Sequence, residues 1–431
     1  MKPESWTQRG VGVGQHLLVF QSLALLLAAG LIALPLARAS GVPDLIWFMA
    51  AGFLLGPRVA GLVQIFHNAG VTSLIVTGGA VFMLYEGGRA VDWRVLQRIW
   101  RSVAGLAMVG TLLTALGVAA LAVSLLGLPW LVALLLGAVV ASTDPATIVP
   151  LFARLKLPPR LAQLLIGEAA LNDAMSALLV VLVVASGAGA AVNWASAGLE
   201  AVRLLVFGAV AGLGIGGLVQ WGVAEGRRLA VWNEREEMVV SALPTMALAY
   251  LVATAVGGSG FLAAFAAGMV SGNAHLLGLA PRQTHQAEHQ TFLWHLGTVV
   301  RILLFGLLGA EVVPAAVAQA GWVGIAVAGG MIFLLRPLVV WLTVWPDRRA
   351  RWRPAELWFA SWVRETGVMA AALSSLLIVD RVPGAIEVGA LTTVVLVATM
   401  LVQVPTTGWL AMRLGLVSSG PKPSAKIGIG G

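Results

Sequence analysis

Three carboxylates lie within 30 positions of one another inside two long apolar runs: Asp144 in the first, Glu168 and Asp173 in the second. A charge at the centre of a bilayer costs about 2.5–3.5 kcal/mol on insertion scales, so acids placed there need a use. The first run contains Ser142-Thr143-Asp144-Pro145. Proline removes a backbone donor and clashes with the preceding turn. Irregular backbone at membrane depth survives only where protein or a water-filled cavity satisfies it. Carbonyls freed at such a break, with the Thr143 hydroxyl, suit a hard monovalent cation; a proline-kinked helix with a capping Asp144 is the plainer alternative. The second run contains Gly167-Glu168-Ala169-Ala170-Leu171-Asn172-Asp173. Glu168 and Asn172 are spaced i, i+4 and share a helix face, whereas Asp173 lies roughly 100° further round. The two acids therefore face different partners and do not form a simple dyad. The group reads as a cation site that a proton can also occupy.

Those residues need membrane-spanning elements to hold them. The chain of 431 residues is 59% hydrophobic and only 11% charged. Soluble proteins carry about 25% charged residues, so this is an all-α polytopic membrane protein. Thirteen apolar runs between residues 14 and 411 read as transmembrane helices. With that count, 19 of the 27 basic residues fall in connections on one side and 5 on the other. The positive-inside rule makes the rich side cytoplasmic, with the N-terminus outside and the C-terminus inside. Ala37-Arg38-Ala39 has the form of a signal cleavage site, but the apolar region before it is longer than a signal's. It is read as a span. The net charge of +8 lies in short loops and does not indicate nucleic acid. Without cysteine there is no disulfide, thiol nucleophile or thiolate site. No soluble domain or convincing His/acid cluster supports an enzyme.

Further along, Glu86 near the end of span 3 is either an interfacial acid beside Arg89 or a carboxylate lining a cytoplasmic funnel. Gly208, Gly212 and Gly216 in span 7 suit close helix packing. The loose GxGxxG match there lacks the strand and βα context of a nucleotide site. His285 and His289 flank Glu288 in a loop read as solvated. Arg301 and Glu311 in span 10 are too far apart to pair. Arg336-Pro337 predicts another break in span 11, and Arg364-Glu365-Thr366-Gly367 interrupts span 12. Arg364 is the expected counter-ion of a span-6 acid. Spans 5 and 12, both interrupted, are seven apart. An odd offset inverts the topology, as in inverted-repeat transporters, and interrupted helices at matching repeat positions point to a transporter's binding site. The expected organisation is one membrane transporter domain, 1–417. Its repeat one is about 14–186, a linker helix about 200–223, and repeat two about 237–411; a short cytoplasmic tail follows at 418–431.

The chain resembles the NhaP-type sodium/proton antiporters, within the first class of monovalent cation/proton antiporters. The specific residues are Thr143-Asp144-Pro145 and the GExxLND pattern at Gly167 to Asp173. FMLYEGG at Phe82 to Gly88, GFLLGP at Gly52 to Pro57 and FGLLGAEV at Phe305 to Val312 support them. The resemblance implies a secondary active transporter in a bacterial inner membrane. It would exchange Na+, or Li+, for H+ one-for-one by alternating access, as a homodimer without cofactor. It implies that Asp173 binds cation and proton in turn, and that Asn172 marks the electroneutral subtype. Thr143 and Asp144 would lie at the crossing of two unwound helices, with Na+ held at Asp173 and Thr143. Glu86 would take part in ion binding, and Glu168 would form a structural ion pair with Arg364. Two departures bear on selectivity. Ala169 stands where the family commonly has a ligating Ser, and RETG stands where it reads RG, so Glu365 could compete with Glu168 for Arg364. A K+/H+ antiporter of the same fold is the nearest alternative, and a cation channel a more distant one.

Overall fold

The computed structural model describes residues 6–40, 42–64, 69–143, 152, 155, 157–187, 194–229, 234–279 and 286–417. Asp144, His285 and the 418–431 tail lie outside the described residues. The fold is all-α. In chain order the helices are α1 (Trp6–Ser40), α2 (Asp44–Leu55), α3 (Ala69–Arg89), α4 (Trp93–Leu126), α5 (Trp130–Val140), α6 (Pro159–Gly187) and α7 (Trp194–Arg228). They continue as α8 (Glu234–Ala255), α9 (Gly260–Gly272), α10 (Gln286–Glu311), α11 (Pro314–Thr343), α12 (Pro354–Trp362), α13 (Val368–Val379) and α14 (Ala385–Arg413). Among the described residues eight helices are long and apolar enough to cross a membrane, and five further apolar helices are shorter.

Helix boundaries follow local chemistry. Asp92 caps α4 by accepting from the Arg94 and Val95 amides at 2.8 and 3.3 Å, and Ser259 caps α9 through the Leu262 amide. Pro314 and Pro354 open α11 and α12, where a missing N–H costs nothing. Large apolar side chains face outward: Phe20, Leu31, Trp221, Trp322 and Phe333 are all more than half exposed. Such a surface suits lipid as its solvent.

Inside, small residues let backbones touch. The α7 glycines behave as the spacing predicts. A methyl on Gly208, Gly212 or Gly216 would strike the α9 backbone at Ser259, Ala263 or Ala267. Gly88 of α3 and Gly268 of α9 pack the same way, against Phe265 and Tyr85. So do Gly52 of α2 against Gly306 of α10, and Gly309 against Met49. These seams need no side-chain interlock and set the core helices close together.

Two long helices each contain a π turn, Gly105–Gly110 in α4 and Met331–Leu335 in α11. The two helices pack on each other here: a methyl on Gly110 would contact Val339, and one on Gly105 the Thr343 carbonyl. The predicted break at Arg336-Pro337 is therefore corrected: α11 continues, and its distortion is a widened turn just before the proline. Widening that turn makes room for the ring that would otherwise clash with the preceding carbonyls.

Candidate functional site

The interruption expected in span 12 is present. Helix α12 ends at Trp362, Val363–Gly367 are non-helical and buried, and α13 starts at Val368. On the facing helix, α5 ends at Val140, and Ala141, Ser142 and Thr143 follow as buried non-helical backbone. Helix α6 passes beside both, bringing Glu168, Asn172 and Asp173 to the centre.

Backbone groups loosened by these interruptions have partners, as membrane depth demands. At the end of α5, Arg364 Nη2 donates to the Ala141 carbonyl at 2.8 Å and to that of Val140 at 3.4 Å. Its Nη1 also lies 2.9 Å from the Met331 sulfur. At the end of α12, Arg336 donates from Nε to the Ala360 carbonyl at 2.9 Å and from Nη2 to that of Val363 at 3.1 Å. Gln403 of α14 donates to the Trp362 carbonyl, and Thr399 accepts from the Thr366 amide at 3.3 Å. A guanidinium thus caps the C-terminal end of each interrupted helix, where the helix dipole favours a cation.

The expected Glu168–Arg364 pair is not what forms. Glu168 pairs with Arg336 through both oxygens: Nη1 meets Oε1, and Nη2 meets Oε2 at 2.8 Å. The two residues are 3% and 2% exposed, so the pair is fully desolvated. The reason for the correction is geometric. Arg364 sits inside the break and is turned onto the α5 carbonyls, whereas Arg336 leaves the π turn of α11 facing α6. Glu365 is buried at the break.

Asn172 ties α6 to the α5 interruption in both directions. Its Nδ2 donates to Thr143 Oγ1 at 2.8 Å, and its Oδ1 accepts from the Thr143 amide at 3.3 Å. Asp173 is next in sequence and buried, with 7% exposure. Ser176, one turn on, is fully buried, and no hydrogen-bond partner reaches its Oγ among the described residues. Ala169 is buried one turn before Asp173. Asp173, Thr143 and Ser176 are a carboxylate and two hydroxyls, oxygen donors of the kind a hard cation takes. Among the described residues no group of three or more His, Cys, Asp or Glu side chains could hold a resident metal.

Glu86 pairs with Arg89 at 2.9 Å, one turn away on α3. Arg301 donates to Thr298 on its own helix at 3.1 Å. Sequence reasoning did not single out Ser176, Arg336 as the partner of Glu168, or a contact between Glu311 and Ser375. Arg336 carried a usable signal: an arginine inside an apolar span needs a partner as much as an acid does.

Comparison with known proteins adds the following. The family described as "Sodium/hydrogen exchanger, transmembrane" matches residues 23–413. The K(+)/H(+) antiporter NhaP2 of Shewanella oneidensis is 30% identical over 405 residues, covering 93% of this chain and 67% of that protein. A probable Na(+)/H(+) antiporter 2 of Methanocaldococcus jannaschii is 26% identical over 337 residues, 74% of this chain and 75% of its own. The solved structure of the sodium proton antiporter MjNhaP1 from the same organism shares the fold. Its TM-score is 0.78 at 22% identity, covering 93% of this chain and 99% of that one.

Proposed function

The chain belongs to the sodium/hydrogen exchanger family, and on that premise we propose how its residues divide the work of exchanging a monovalent cation for protons. It is a transporter, not an enzyme, and the transported ions are its substrates. In our reading Asp173 carries cation and proton in turn. The cation displaces the proton on one side of the membrane, the core reorients, and the proton displaces the cation on the other. Thr143 and Asp144 complete the cation's shell, with Asn172 holding Thr143 in place. Reorientation with an ionised, unoccupied Asp173 would carry an uncompensated charge through the bilayer and is disfavoured, so exchange is favoured over leak. Glu86 would line the approach to the site.

The single observation that carries this reading is the division of the two α6 acids. Glu168 is locked by a bidentate guanidinium, while Asp173 is buried and follows Asn172, whose side chain bridges to Thr143 at the α5 interruption. A Glu168 held by Arg336 is structural and drops out of the count. One titrating acid then gives one-for-one, electroneutral exchange. The interruptions in spans 5 and 12, and the π turns of α4 and α11, recur at an offset of seven spans. That recurrence supports inverted repeats at about 14–186 and 237–411, with the linker helix at about 200–223. We also infer a homodimer in a bacterial inner membrane, N-terminus outside and C-terminus inside.

Na+ is the proposed cation, with Li+ as a second substrate. K+ is the competing reading, supported by the Shewanella relative, which is named a K(+)/H(+) antiporter. Purified protein in proteoliposomes, loaded with a pH dye and challenged with Na+, Li+ or K+, separates these. Cation-dependent proton flux that survives in Asp173→Asn would overturn the assignment of Asp173.

A further inference from the structure

Glu311 is the last residue of α10 and is only 8% exposed. Ser375 of α13 donates to its Oε2 at 2.6 Å. Its Oε1 is buried and has no hydrogen-bond partner among the described residues. Arg58 is nearby but otherwise engaged: its Nη1 donates to the backbone carbonyls of Glu311 at 3.0 Å and Val312 at 3.4 Å, capping α10. Among the described residues no ion pair within 4.0 Å joins that guanidinium to the carboxylate. The carboxylate borders a cavity of about 80 Å3. Its lining is apolar apart from Arg58, Glu311 and Thr393, with Leu308, Ile378 and Ile386 among the rest. A cavity of that size holds a few waters.

We propose that Glu311 is a proton-loading site, through which protons pass between bulk water on the Arg58 side and Asp173. The inference rests on the antiport reading above. An ionised carboxylate with one hydrogen bond in an apolar pocket is costly. A proton on Oε1 removes that cost and creates an O–H that water can accept. A metal cation fits poorly, because hard cations take several oxygen ligands. Here the walls are mostly hydrocarbon, with a guanidinium at the rim. The groups facing Glu311 leave it as the titrating member. Arg58 is the one other ionisable residue lining the cavity, α13 contributes the Ser375 hydroxyl and α14 the Thr393 hydroxyl. Within α10 itself, Arg301 lies roughly 15 Å back along the axis at 1.5 Å per residue. Ser375 is seven residues past Val368, where α13 leaves the interruption, or about 10 Å along the helix. In the inward step hydronium gives its proton to Oε1 and becomes water. Glu311 then passes that proton through water to Asp173, whose cation departs.

Glu311→Gln separates this role from a packing role, because an amide oxygen still accepts from Ser375. In infrared difference spectra of the reconstituted full-length protein, acid minus alkaline, wild type should show a protonated-carboxyl band that Glu311→Gln removes. In sided flux measurements the variant should lose about a hundredfold of its exchange when the Arg58 side is alkaline, the lower end of the contribution of a positioned proton-transfer group. Exchange should recover when that side is acid, with cation half-saturation unchanged. A wild-type infrared spectrum together with a wild-type pH profile in the variant would overturn the proposal. If Glu311→Gln does not fold, Ser375→Ala must shift the midpoint of the same band, and an unshifted band counts against Glu311. Wild-type protein that exchanges no cation would overturn the antiport reading, while the band still decides the protonation of Glu311.

Discussion

Two acids on one helix have opposite surroundings. Glu168 is enclosed by the Arg336 guanidinium, which itself caps α12. Asp173, a turn and a half further along, follows Asn172, whose side chain is tied to Thr143 at the loosened end of α5. One environment fixes a charge; the other, in the proposed function, lets a charge be exchanged. A buried carboxylate is therefore not a carrier by virtue of burial. In the proposed function, what matters is whether the acid is held by a fixed guanidinium, as Glu168 is, or exchanges ions with solution.

The largest expected effect comes from removing the exchangeable charge. Asp173→Asn should reduce cation-dependent dye dequenching to background while the protein still elutes as a monodisperse species on size exclusion. Retained exchange would erase the distinction between the two acids. Next is the fixed pair. Arg336→Met strands Glu168 as a buried charge and should destabilise the fold by about 3–5 kcal/mol, read as a fall in the thermal unfolding midpoint. Adding Glu168→Gln should recover part of that loss, and the rest should persist because the Ala360 and Val363 carbonyls stay uncapped. Full recovery would reduce Arg336 to a counter-ion. A smaller change is expected for Asn172→Asp, which adds a second titratable acid beside the first. Its exchange should become sensitive to an imposed membrane potential where the parent's is not. The smallest effect is expected from Ala169→Ser. One added hydroxyl contributes about 0.5–1.5 kcal/mol, so cation half-saturation should shift by up to about tenfold, in the direction of tighter binding.

The membrane class, the helical runs, the interruption at Arg364–Gly367 and the glycine seam of α7 were all legible in the chain. Each is a local property: hydropathy, a charge inside an apolar run, or a small-residue spacing. The partner of Glu168 was not. Helical periodicity gives the face of α6 that an acid occupies, but not which of two arginines in later spans turns towards it. Arg364 was the natural candidate because it lies in an interrupted span, yet residues at a helix end are drawn to its carbonyls. The π turns were also out of reach. Pro337 marks a distortion in its neighbourhood, but Gly105–Gly110 has no comparable residue, and a widened turn has the composition of an ordinary one. Glu311 was visible as a charge without a partner; its contact with Ser375 depends on how α10 and α13 meet.

The guanidinium cap on α5 has a consequence for how the protein is made. The Ala141 carbonyl is laid down 223 residues before the arginine that satisfies it, and Glu168 precedes its own counter-ion by 168 residues. Synthesis runs from the N-terminus at about 5–20 residues per second, so both wait for seconds to tens of seconds in a half-built membrane protein. Through that interval the first half carries an open helix end and an acid with no fixed counter-charge. It can settle into its final arrangement only when the second half arrives beside it, which makes assembly of the two halves a late and joint event.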